Sequence, residues 1–74
     1  MTLSQCHIGD KVRVKSLRMS ENKSKRLMDM GLIPGTTLEI LRVAPFGDPV
    51  AIKLRGFQIS FRKSEAKNII VEAI

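Results

Sequence analysis

Lys11-Val12-Arg13-Val14-Lys15 alternates polar and apolar residues without a break, the period-2 pattern of a half-buried strand. Val12 and Val14 then face a core, while Lys11, Arg13 and Lys15 face water. Gly9-Asp10 turns the chain into that strand. The alternation returns at Val50-Ala51-Ile52-Lys53-Leu54 and again at Phe57-Gln58-Ile59-Ser60-Phe61. Only Arg55-Gly56 separates these two runs, so they are predicted to form a tight hairpin. Val50, Ile52 and Leu54 point inward from one strand, and Phe57, Ile59 and Phe61 from the next. Thr37 to Val43 (TLEILRV) is rich in β-branched and apolar residues and predicts another strand. Leu38 and Ile40 should share its inner face. Leu41 and Val43 fall on the other face with Glu39, which predicts that part of the outer surface is covered by the helix. Asn68 to Ala73 closes the chain as a strand, with Ile69 and Val71 leading inward.

Helical spacing occurs at Glu21 to Met30, where Leu27 and Met30 share a face and Met28 borders it. Ser20 is the predicted N-cap, and Glu21 places a negative charge at the positive end of the helix dipole. Lys23, Lys25 and Arg26 lie on the exposed side. Gly31 falls at C′, a position that requires positive φ and so favours glycine. On that register Leu32 and Leu27 are the apolar pair of a Schellman stop. Pro34 forbids continuation, and Ile33-Pro34-Gly35-Thr36 has proline and glycine where a type II turn wants them. Ala44 to Pro49 (APFGDP) is a loop with Phe46 at its tip and Gly47 behind it. Ser64 to Lys67 predicts a single helical turn capped by Ser64, with Glu65 behind it. Five short strands in so short a chain predict a mainly β fold with one inserted helix. Closing them into a small five-stranded barrel removes open sheet edges.

The totals narrow the choice of function. Seventy-four residues suffice for one domain, 1–74, with one small core and little room for a deep catalytic cleft. Hydrophobic residues make up 43% and charged residues 27%, a balance that favours a folded domain over disorder. Thirteen Lys and Arg against seven Asp and Glu give +6, which points either to an anionic partner or simply to the wet faces of strands and helix. A single cysteine excludes an internal disulfide and, with no signal peptide, implies a reducing, cytoplasmic setting. No apolar run approaches the roughly 20 residues a membrane span needs.

Reactive chemistry is sparse. The acids are scattered over strand exteriors, turns and helix ends, with no pair placed for acid-base work. The glycines occur singly, so no loop resembles a phosphate cradle. Cys6 and His7 are the only candidate metal or nucleophile pair. Neighbours on an extended segment point to opposite sides, and a structural zinc site wants four ligands. Met28 and Met30 diverge by about 200° around a helix, which suits packing better than a thioether metal site. No catalytic residue, cofactor or metal site is therefore expected. With no Trp or Tyr there is no aromatic platform for single-stranded nucleic acid, and one helix of any length cannot make a helix-turn-helix.

Three stretches together resemble the FeoA family, small cytoplasmic accessory proteins of bacterial ferrous-iron transport. They are Leu27-Met28-Asp29-Met30-Gly31-Leu32-Ile33-Pro34-Gly35, Ala44-Pro45-Phe46-Gly47-Asp48-Pro49 and Arg62-Lys63. The similarity runs from about Ile8 to Val71. It implies an SH3-like barrel with the helix inserted after the first strand, and no enzyme activity. It also implies a partner, the FeoB membrane GTPase-permease, met on its cytoplasmic side near the inner face of the membrane. A similar domain forms the C-terminal module of iron- and manganese-dependent repressors; with no DNA-binding region expected ahead of it, a transport accessory is favoured, and a stand-alone relative of that module is an alternative. The expected partner-binding residues are Phe46 with Pro45 and Asp48, then Met28 and Leu32, ringed by Lys23, Lys25 and Arg26. The alternative for Phe46 is that it folds back to cap the barrel. Gly31, Pro34, Gly35, Gly47 and Gly56 are the expected structural turns. The chain is expected to be a monomer or weak homodimer, to bind no nucleic acid, and to meet the membrane only through its partner. The competing function is a basic nucleic-acid-binding barrel, which salt dependence would distinguish. Direct iron carriage would need clustered oxygen or imidazole ligands that one histidine and dispersed acids do not supply.

Overall fold

The computed structural model describes residues Met1–Ile74. Its strands are β1 (Lys11–Leu17), β2 (Thr37–Val43), β3 (Val50–Leu54), β4 (Phe57–Phe61) and β5 (Ile69–Ala73). They form one antiparallel sheet in the order β4-β3-β2-β1-β5. Helix α1 (Glu21–Asp29) follows β1, the single turn α2 (Lys63–Ala66) joins β4 to β5, and a 3-10 turn occupies Leu3–Gln5. β4 and β5 do not pair with each other, yet Phe61 of β4 and Ile69 and Val71 of β5 belong to the same buried cluster. The sheet therefore rolls around one core into an SH3-like barrel with a seam, and Ala66 of α2, the turn between β4 and β5, is fully buried in that core.

The alternating runs account for most of that core. Val12, Val14, Leu38, Ile40, Val50, Ile52 and Leu54 are all buried. Each such side chain contributes about 1.5–3 kcal/mol relative to remaining exposed. The helix stop follows the Schellman geometry: Leu32 N–H donates to Leu27 O and Gly31 N–H to Met28 O, both at 2.9 Å. Gly31 takes φ +103, and Leu27 and Leu32 are both buried. Thr36 N–H donates to Ile33 O at 3.0 Å, with Gly35 at φ +96, as a type II turn requires. At the helix start Lys23 N–H donates to Ser20 Oγ at 3.4 Å.

Four expectations need correction. Val43 does not share the outer face with Glu39. Ile40 lies opposite Ile52, Arg42 opposite Ala51 and Val43 opposite Val50, so Leu41 is the extra residue of a bulge that returns Val43 to the core side. Phe57 pairs with the buried Leu54, but at the hairpin turn it is left 72% exposed and is no part of the core. The cap of α2 is Arg62, not Ser64: Arg62 N–H donates to Glu65 Oε1 at 3.0 Å, and the turn begins at Lys63. Lastly, the N-terminal segment is a structural element. Leu3 is fully buried, Cys6 nearly so, and Thr2 bridges Ile70 at the edge of β5.

Candidate functional site

The loop between β2 and β3 is tied down on both sides. Gly47 N–H donates to Ala44 O at 2.7 Å, and Ala44 N–H to Pro49 O at 3.1 Å. Asp48 Oδ1 accepts from the backbone N–H of Lys63 at 3.1 Å, fastening the loop to the start of α2. The Lys63 alkyl chain runs past Gly47, 3.8 Å from where a Cβ would stand. Phe46 projects from this braced loop with 91% of its surface exposed. It does not fold back over the barrel. Full burial of a Phe side chain is worth about 1.5–3 kcal/mol, and folding recovers almost none of it here.

The charged residues collect elsewhere. α1 and the β4–α2 corner enclose a groove of about 570 Å³. Its lining includes Met19, Leu27, Met30 and Phe61, together with the charged residues Lys23, Arg26, Lys67 and Glu65. Lys25 is exposed but lies outside the groove, as does Met28, which is 40% exposed. Leu32 cannot touch a partner: as the apolar residue that closes the Schellman stop it has no exposed surface. The expected patch of Phe46, Met28 and Leu32 thus lacks Leu32, and of its expected ring only Lys23 and Arg26 line the groove beside α1. Sequence reasoning missed the groove because it depends on α1 being carried next to β4, a non-local placement with no local signature. Residues that escaped it include Lys67 and Glu65.

The two candidate metal residues separate. Cys6 is buried, its Sγ donating to Thr2 O at 3.7 Å, while His7 is exposed. Burial, and then the negative charge of Asp10, push the Cys6 thiol pKa up. His7 Nδ1 lies 3.8 Å from Asp10 Oδ2, and no three His, Cys, Asp or Glu side chains converge anywhere in the chain. No helix is long and apolar enough to cross a membrane.

Comparison with known proteins places this architecture. The model of the FeoA domain matches residues 1–73. A Porphyromonas gingivalis protein described as an Fe(2+) transport protein A/Fe(2+) transporter FeoB fusion is 32% identical over 74 residues. The match takes in all of this chain but only 9% of that much longer protein. The solution structure of the FeoA protein from Chlorobium tepidum superposes with a TM-score of 0.92 at 38% identity, covering 100% of this chain and 70% of that one. A Stenotrophomonas maltophilia FeoA complexed with zinc, described as a procaryotic SH3 domain protein, matches with a TM-score of 0.84 at 26% identity, covering 97% of this chain and 89% of that one.

Proposed function

The chain belongs to the FeoA family, and on that premise we propose that it is a non-enzymatic adaptor of ferrous-iron uptake. In this reading it docks on the cytoplasmic side of a FeoB-type membrane GTPase-permease and modulates its assembly or activity. The observation that carries the proposal is the relative that joins FeoA and FeoB in one polypeptide. Covalent joining holds two modules at high effective concentration, an arrangement suited to parts that act on each other. Phe46 supplies the anchor: an exposed aromatic on a loop whose backbone is already ordered loses little entropy on burial by a partner. Pro45 and Asp48 hold that anchor in place. Lys23, Lys25 and Arg26 favour an acidic partner surface beside the anionic inner leaflet.

The test is a pull-down of the permease from a membrane extract with wild-type and Phe46→Ala protein, followed by ferrous-iron transport assays. The exchange is expected to leave the fold intact and to reduce recovery of the permease at least about tenfold, a loss of about 1.4 kcal/mol. Undiminished recovery and transport would remove Phe46 as the anchor.

A further inference from the structure

The barrel treats its two outer strands differently. β5 is covered by the chain's own beginning: Thr2 bridges Ile70, and Val71 N–H donates to Met1 O at 2.8 Å. β4 has no such cover. Beyond its ladder with β3, residues 57–61 exchange no backbone hydrogen bond with any other segment. Proteins ordinarily blunt an open edge with charge, proline or a bulge. Phe57-Gln58-Ile59-Ser60-Phe61 has no charge and no proline, and its register with β3 runs unbroken from Val50↔Phe61 to Leu54↔Phe57. Beside the end of this strand lies the groove against α1, whose lining carries Lys23, Arg26 and Lys67 and the single carboxylate of Glu65.

The geometry points to β4 and the groove beside it as the site where an extended, acidic segment of a partner protein adds to the sheet. Its main chain bonds to the open edge of β4. Side chains on the face of the added strand turned to the groove meet the cations of Lys23, Arg26 and Lys67, with the half-exposed Met30 beside them. Charge chooses the occupant. Antiparallel pairing of β4 with β4 of a second copy would bring Arg62 and Lys63 of one chain toward Arg55 of the other, on molecules of net charge +6. An acidic strand meets no such repulsion. The inference rests on the docking role proposed above and names the chemistry of the docked segment.

A titration of the isotope-labelled 74-residue chain, followed by amide chemical shifts with no permease present, separates this inference from that role. Three synthetic ten-residue probes are used: alternating valine and glutamate, alternating valine and lysine, and the acidic peptide with alternate amides N-methylated. The acidic peptide is expected to bind with its shifts concentrated on residues 57–61 and the Lys23–Arg26 face of α1. N-methylation, which removes strand donors without touching the protein, should weaken it at least tenfold, as should the paired exchange Lys23→Glu, Arg26→Glu. The inference is overturned by no binding, by equal binding of the lysine peptide, by tolerance of N-methylation, or by self-association through β4 that the acidic peptide does not reverse. A chain that fails this titration and still recovers the permease through Phe46 keeps its docking role and loses only this edge.

Discussion

Gly31 stands at φ +103, and a Cβ added there would lie 3.3 Å from Leu54 Cδ2. Gly31→Ala therefore combines a strained left-handed backbone with a crowded neighbour, and should lower stability by about 1–3 kcal/mol in denaturant unfolding. Phe46→Ala removes a side chain with almost no packing and should change stability by less than about 0.5 kcal/mol. The buried Cys6 thiol is expected to react slowly with a thiol reagent in the folded chain and freely in denaturant. Because its pKa is raised, folding favours the protonated thiol. That contribution is complete below the ordinary thiol pKa of about 8.5 and is lost as pH rises through the raised value, so thiolate absorbance should appear later in the folded state. Individual residues were legible where local backbone rules decide them. Gly31 and Pro34 announce a stop whatever the rest of the fold does. Leu32 was misjudged as a contact residue because C″ of a Schellman stop is apolar in order to be buried. Its chain position beside Met28 says nothing about exposure.

At the level of elements, alternation was readable in β1, where Val12 and Val14 are buried between exposed neighbours, and less so in the hairpin, where Ala51 of β3 is buried as well and Phe57 of β4 is exposed. β2 does not carry its burial pattern in sequence, because the bulge at Leu41 shifts the period midway and sends Val43 inward. The N-terminal 3-10 turn left almost no signal: Thr2, Ser4 and Gln5 surround Leu3 with polar residues, and only the completed barrel gives Leu3 a place to sit. Leu3→Ala should thus cost about 2–5 kcal/mol, comparable to a central strand position, and should raise hydrogen exchange at Ile70 and Val71 as the cover of β5 loosens. Ser20→Ala should cost about 1 kcal/mol or less, since its cap bond is long and exposed, and the loss should appear as fraying of the first turn of α1.

Taken whole, the molecule is a small rolled sheet whose order β4-β3-β2-β1-β5 leaves a seam beside α1. The barrel itself could be anticipated from five short strands and tight turns. The groove could not, since it arises where the helix, β4 and α2 meet across long separations in the chain. Lys23, Arg26 and Lys67 line one groove, which gathers part of the net charge of +6 on that side of the molecule. A docking surface of this kind depends on apolar burial as well as charge. Its affinity should decline gently with salt, whereas a phosphate-binding barrel would lose orders of magnitude between low and moderate ionic strength. The most direct measurement is the affinity of the purified chain for a FeoB-type permease reconstituted in lipid nanodiscs, with wild-type and Phe46→Ala protein compared at one ionic strength. Saturable binding of the wild type, weakened at least about tenfold by the exchange, is the predicted result. Absence of saturable binding by the wild-type chain would contradict the docking role, and equal affinity of the two proteins would contradict its aromatic anchor.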